Sequence, residues 1–166
     1  MRKNVYLLVG VFVFFWLETG FRKVFPGSHL VPQFILVFVA VFAVHHDLKG
    51  ALQIGMFGGF LAELFSTLYF GTAISTMLVA AFFAYFLTRN ATLKTLYVSK
   101  GWIVLLIVTA AIPFWVFFYN SAASSLNLII HSGLRAFYSW GLLTQALGNL
   151  TVFFPIQALI NRVFHE

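Results

Sequence analysis

One carboxylate lies within an apolar stretch that is long enough to cross a bilayer. Residues 50–72 read GALQIGMFGGFLAELFSTLYFGT, and their acid is Glu63. On a helix that starts at Ala51, Glu63 lies about 18 Å from the start, near the middle of a hydrocarbon layer roughly 30 Å thick. An ionisable group at that depth predicts a functional site, for ion or proton coupling, ligand binding or partner contact.

The same stretch carries two rows of small residues at helical spacing. The first row recurs every four residues and leads to Glu63: Ala51, Gly55 and Gly59. The second row runs beside it: Gly58, Ala62 and Ser66. Because small side chains let two helix backbones approach closely, the rows predict that this helix packs against a neighbour at the centre of a bundle.

The composition of the whole chain is that of a membrane protein with several spans. Of 166 residues, 61% are hydrophobic and 8% are charged, which is more apolar surface than a soluble fold of this size can bury. Cysteine is absent, which excludes disulfides and thiolate metal sites. The net charge of +6 does not indicate nucleic-acid binding, because in a membrane protein the location of Lys and Arg matters more than their sum.

Hydropathy and turn residues predict one domain, residues 1–166, with an all-α bundle of six membrane-spanning helices. The predicted spans are residues 5–21, 33–46, 51–70, 73–88, 102–119 and 138–160. The first has a basic start but no cleavage pattern, so it is interpreted as a span and not as a signal peptide. Residues 120–139 show an amphipathic pattern, which fits either a helix in the outer interface or an early start of the last span.

The distribution of basic residues predicts the orientation of the chain. Six spans place both termini on one side of the membrane. Seven of the ten Lys and Arg residues fall on that side and three on the other. The positive-inside rule therefore places both termini in the cytoplasm.

Polar side chains in the last span offer partners for the acid. Gln145 and Asn149 are four residues apart, hence on one helix face. We predict a network of Glu63, Gln145 and Asn149 that holds the bundle together, although a ligand pocket would give the same pattern. Transport through Glu63 would need a second titratable group, for which Glu18 is the candidate. The remaining polar residues within the spans are Gln53, Thr67, Ser75 and Thr151.

Residue patterns typical of catalysis or metal binding are weak or absent. His45, His46 and Asp47 are consecutive, so their side chains point in different directions and do not predict a metal site. The sequence has no G-x-S-x-G, no H-E-x-x-H and no phosphate-cradling loop. We therefore predict neither an enzymatic activity nor a cofactor.

Residues 30–90 combine proline, glycine and an acid in an order seen in a known family. Pro32 and Gln33 open the second span, the third span leads to Glu63, and Gly71 precedes the fourth. The glycines of the third span that take part are Gly55, Gly58 and Gly59. This pattern resembles the rod shape-determining protein MreD, and Asn149 and Pro155 match a weaker feature of the family. The departures from the family are Glu for the usual Asp, Gln for Asp or Asn, and Thr67 or Leu68 for the first glycine of the turn.

The resemblance implies a non-enzymatic scaffold in the inner membrane of a bacterium, within the cell-elongation machinery. Such proteins bind the bitopic protein MreC and connect the peptidoglycan-synthesis complex of RodA and a class B penicillin-binding protein to MreB filaments. Their fold is similar to that of the S components of energy-coupling-factor vitamin transporters, and a substrate-binding S component is the alternative function. The first span has Gly10 but no small residue four positions away, which counts against that alternative.

Overall fold

A computed structural model describes residues 2–25, 31–65, 70–89, 101–123 and 140–164. The chain is all-helical over these residues, which contain no β-strand, so the predicted helical class is confirmed. The described residues form six helices: α1 (Arg2–Val24), α2 (Phe34–His45), α3 (Leu48–Leu64), α4 (Thr72–Arg89), α5 (Gly101–Ala123) and α6 (Trp140–Phe164).

Three helical segments are long and apolar enough to cross a membrane: Val5–Val24, Thr72–Arg89 and Leu143–Val163. Helix α2 and residues Gly101–Val116 of α5 are shorter apolar helices. Large aromatic side chains point outward from α1 and α4, where Trp16 is 58% exposed and Phe82 is 56% exposed. Such outward apolar surface is costly in water and is satisfied by lipid, which indicates a membrane protein.

Helix α2 is the centre of the bundle. Every residue from Phe34 to Val44 is buried, and α2 packs against each of the other five helices. Its side chains are hydrophobic on all sides, as expected for a helix that protein encloses completely. The prediction that residues 51–70 form the central helix is wrong, because α2 has that position. Small residues indicate close packing on one face of a helix, whereas hydrophobic side chains on every face indicate a helix that is surrounded by protein.

The turn between α3 and α4 comes earlier than hydropathy predicts. Helix α3 ends at Leu64, and the N–H of Phe65 closes it by donating to the carbonyl of Ala62. Before α4, Gly71 has a φ of +92°, a left-handed conformation that glycine adopts without the steric cost of a Cβ. Glu63 is therefore the second-to-last residue of its helix and does not lie in mid-span. The apolar run continues past Leu64, so hydropathy predicts a longer helix than the structure shows.

The other helix bounds follow the predicted spans with local extensions. Helices α2 and α4 agree within one residue at each end, whereas α1, α5 and α6 extend beyond the predicted spans at their C-termini. Residues 120–123, predicted as part of an amphipathic segment, continue α5. The remainder of that segment, residues 124–139, lies outside the described residues.

Candidate functional site

Glu63 caps the N-terminus of α4. Its Oε2 atom accepts hydrogen bonds from the backbone N–H of Ala73 at 2.8 Å and of Ile74 at 3.3 Å. Both residues lie in the first turn of α4, where N–H groups have no acceptor within the helix. Glu63 is 6% exposed, and its Oε1 atom is buried without a partner in the part of the chain that the structure describes. The side chain therefore joins the end of α3 to the start of α4.

The first row of small residues in α3 lies directly against the backbone of α4. A Cβ atom added to Gly59 would lie 2.6 Å from Ile74 Cα, and one added to Gly55 would lie 3.1 Å from the carbonyl oxygen of Met77. Ala51, in the same row, is fully buried. Because backbone atoms cannot move aside as a flexible side chain does, this contact requires glycine. The neighbour of the row is α4 of the same chain, so this face is not open to another protein.

The second row of small residues faces α1 and α2. A Cβ atom on Gly58 would collide with Cγ2 of Ile35 and would lie 3.6 Å from Cγ1 of Val11. Ala62 is half-buried, and Ser66 lies outside the described residues. Helix α3 thus uses one row for α4 and the other for the interior of the bundle.

Asn149 joins three helices at the start of α2. Its Oδ1 atom accepts from the backbone N–H of Gln33 at 2.8 Å, and its Nδ2 atom donates to Thr109 Oγ1 at 3.2 Å. Asn149 is fully buried, so the lost contact with water is replaced by these two bonds. One amide of α6 therefore fixes the start of α2 and a turn of α5.

Gln145 and Glu18 also bind near the start of α2, and together with Asn149 and Thr109 they form a polar layer at this end of the helix. Gln145 Nε2 donates to the carbonyl oxygen of Val31 at 2.8 Å, and Glu18 Oε2 accepts from the N–H of Ile35 at 3.4 Å. Glu18 Oε1 also accepts from Arg22 at 2.9 Å. Glu18 of α1 thus satisfies an N–H group in the first turn of α2, and Gln145 of α6 holds the segment that precedes this turn.

The predicted network of Glu63 with Gln145 and Asn149 is not formed. Both amides do lie on one face of α6, as their spacing predicts, but that face meets the start of α2. The hydrogen bonds of Glu63 go to α4 instead. Spacing within one helix shows which residues share a face, but it does not show which helix that face meets.

Each acid of the described residues performs the same task at a different helix. Glu18 accepts from the first turn of α2, and Glu63 from the first turn of α4. Asp47 is the N-cap of α3, where its Oδ2 atom accepts from the N–H of Gly50 at 2.9 Å. Carboxyl oxygens at these positions satisfy open N–H groups, and a negative charge there is favoured by the helix dipole. The three acids therefore hold three consecutive helices at their N-termini.

A second polar layer lies at the opposite end of α2. Nε2 of His45 lies 3.0 Å from Nε2 of Gln157 in α6. The guanidinium of Arg89 donates to the carbonyl oxygen of His46 at 3.1 Å and lies over the ring of Tyr85 at 5.3 Å. These contacts tie the C-terminal ends of α2 and α4 to each other and to α6.

Sequence reasoning missed several residues of the two layers. Thr109 and Gln157 were not singled out, since hydroxyls and amides are common within apolar helices. Glu18 was noted only as a possible second titratable group. The available signal for these residues is the shortness of α2, an apolar helix of twelve residues. The backbone groups at both ends of so short a helix need polar partners from other helices.

A small groove lies between α1 and α3. It has a volume of about 130 Å³ and is lined by Leu7, Leu8, Val11, Gln53, Ile54 and Phe57. Pockets for drug-sized ligands occupy roughly 300–1,000 Å³. The groove is thus too small to enclose such a ligand, and five of its six lining side chains are apolar.

The chain was compared with protein-family models, with curated proteins and with solved structures. None of the three comparisons found a match.

Proposed function

We propose that the protein is a non-enzymatic scaffold subunit of the bacterial cell-elongation machinery. In this proposal all six helices cross the inner membrane and both termini are cytoplasmic, as the distribution of Lys and Arg favours. The fold would then be of the kind found in MreD and in the S components of energy-coupling-factor transporters. Its partners would be MreC, the complex of RodA with a class B penicillin-binding protein, and MreB filaments.

The role of Glu63 is the observation that supports a scaffold best. Transport or catalysis would use the acid as a reagent, with its carboxyl group facing a substrate path. Here Oε2 is occupied by the backbone of α4, and the glycines beside it place α3 against that same helix. The residues that carry the resemblance to MreD therefore serve to hold helices together, which is what a rigid binding subunit requires.

The occupied face of α3 also restricts where partners would bind. Because Gly55 and Gly59 are covered by α4, a partner helix would have to use outward surfaces. Helix α1 has such a surface, with Phe12 55% exposed and Trp16 58% exposed. In this proposal MreC contacts an outward aromatic face and not the glycine row.

Depletion in a rod-shaped bacterium that encodes the chain tests the proposal. We expect cells to become round, and a tagged copy of the protein to co-purify with the MreC of the same cell. The variant Gly59→Leu should fail to restore the rod shape, whereas Gly20→Ala, which changes a glycine with no atom within 4 Å of the added carbon, should restore it. Cells that keep their rods after depletion, with no MreC recovered, would refute the scaffold function.

The alternative, a vitamin-binding S component, makes a different prediction. A thermal-shift screen of the purified protein against vitamins should then give one large and saturable increase in the unfolding temperature. The groove of about 130 Å³ is small for such a ligand. Under the scaffold proposal we expect no vitamin to shift the unfolding temperature, and a vitamin that does would replace that proposal.

A further inference from the structure

The groove between α1 and α3 combines an apolar channel with one amide. Gln53 is half-buried in the groove wall, and its side chain makes no hydrogen bond with the described residues. An amide without a partner at the edge of the hydrocarbon layer costs free energy. A fitting occupant of the groove is therefore apolar along most of its length and offers an acceptor or a donor at Gln53.

A cation lies one turn closer to the end of α3. Lys49 is exposed and has no ion pair within the described residues. It precedes Gln53 by four residues, and Phe57 follows Gln53 by four, so the three share one side of the helix. Successive members are about 6 Å apart along the helix axis. Along this side the surface changes from charged to polar to apolar.

We propose that the groove binds an anionic glycerophospholipid of the leaflet at the Lys49 end of α3. The phosphate pairs with Lys49, an ester carbonyl accepts from the Gln53 amide, and an acyl chain lies along Leu8 and Phe57. The order and spacing of these groups fit a bilayer, in which the interfacial region between hydrocarbon and water is about 5–7 Å deep on each side. Under the proposed topology this leaflet is the cytoplasmic one, and the inference does not rest on the scaffold function.

The nearest acid in the chain does not cancel the charge of Lys49. Asp47 lies two residues earlier, and side chains at that separation do not face each other on a helix. Its Oδ2 atom is hydrogen-bonded to the N–H of Gly50 at 2.9 Å. The positive charge of Lys49 therefore remains available to a phosphate, and it favours a lipid with a net negative headgroup over a zwitterionic one.

Native mass spectrometry of the full-length protein tests the assignment. The protein is purified in detergent, incubated with equal amounts of phosphatidylglycerol and phosphatidylcholine, and the retained lipid is identified by mass. We expect wild type to retain phosphatidylglycerol in preference to phosphatidylcholine. Lys49→Gln should lower retention of phosphatidylglycerol about fivefold, the effect of one cation at an anionic surface.

Three further variants separate the parts of the groove. Gln53→Leu should weaken retention of both lipids while the preference for phosphatidylglycerol persists, because the phosphate contact is kept. Leu8→Trp, at a position 44% exposed, should fill the groove and abolish retention without loss of folding. The matched control is Lys23→Gln, which removes an exposed charge at the opposite end of α1 and should leave retention unchanged.

Several outcomes would overturn the proposal. Equal retention of the two lipids by wild type would remove the role of the charge. A loss in Lys23→Gln equal to that in Lys49→Gln would show general attraction to a basic protein. A dimer that disappears in Leu8→Trp would assign the groove to a second copy of the chain and not to a lipid.

Discussion

The Oε2 atom of Glu63 lies 2.8 Å from the backbone nitrogen of Ala73, which lies in the first turn of the next helix. An acid in an apolar stretch is thus used inside the fold, as the cap of α4. The same carboxyl oxygen also accepts from Ile74, whose Cα lies against Gly59. The hydrogen bonds of Glu63 and the close contact of Gly59 therefore involve the same turn of α4. Each of the two contacts requires the spacing of α3 and α4 that the other helps to set.

Replacing Glu63 tests whether its oxygen or its charge is required. Glu63→Gln keeps an oxygen that can accept the same bonds, so we expect a loss below about 1 kcal/mol in the free energy of unfolding. Glu63→Leu leaves the N–H groups of α4 without an acceptor, and we expect a loss of about 1–2 kcal/mol. Thermal unfolding in detergent measures both. A Gln variant as unstable as the Leu variant would show that the negative charge at the start of α4, and not the accepting oxygen alone, stabilises the fold.

Gly59 and Gly20 form a matched pair for the packing of α3 on α4. A Cβ on Gly59 meets backbone at 2.6 Å, whereas a Cβ on Gly20 meets no atom within 4 Å. We expect Gly59→Ala to lower the free energy of unfolding by about 1–3 kcal/mol. Gly20→Ala should raise it by up to about 1 kcal/mol through helix propensity. Unfolding temperatures measured side by side decide, and equal effects at the two positions would contradict the close contact of α3 with α4.

Asn149 should be the most sensitive amide of the chain. Asn149→Leu removes the acceptor of the Gln33 N–H and the donor to Thr109 in a site without water access. We expect the free energy of unfolding to fall by about 1–3 kcal/mol. Thr151→Val is the control on the same helix, because Thr151 is exposed and bonds only within α6. Its effect should stay within about 0.5 kcal/mol. A double-mutant cycle of Asn149→Ala with Thr109→Ala should give a coupling of at least about 0.5 kcal/mol, and its absence would argue against the bond between them.

The two hydrogen-bond partners of Glu18 should contribute differently to the free energy of unfolding. The side chain of Arg22 is 58% exposed and that of Glu18 is 15% exposed. We expect Arg22→Gln to cost less than about 1 kcal/mol, as for other exposed ion pairs. Glu18→Leu should cost more, because it also removes the acceptor of the Ile35 N–H. If Arg22→Gln proves the more damaging in thermal unfolding, the ion pair and not the cap is the function of Glu18.

The approximate ends of most helices in the described part of the chain could be predicted from the sequence, because each helix is an apolar run between turn residues. The end of α3 was predicted wrongly because the apolar run continues past Leu64, and a cap such as Glu63 is recognised only once its helix is in place. The face shared by Gln145 and Asn149 followed from their spacing. That this face meets the start of α2, and that Gln33 and Val31 lie there, depends on contacts over more than a hundred residues, which hydropathy does not contain.

The sequence of α2 contains the signal for its central position. Its twelve residues are apolar on every side, while α3 carries its small residues on restricted faces and has Phe57 and Phe60 outside, 43% and 46% exposed. Length argued against α2 as a major span, because twelve residues cover about 18 Å. In the structure the short length is compensated by polar groups that neighbouring helices place at both of its ends.

The polar layer at the start of α2 has a consequence for how the chain is made. Gln145 and Asn149 leave the ribosome more than a hundred residues after Val31 and Gln33, whose carbonyl and N–H they bind. Until α6 has been synthesised, the second helix lacks these two bonds. A chain that ends before α6 therefore keeps the start of α2 without the partners that Gln145 and Asn149 provide.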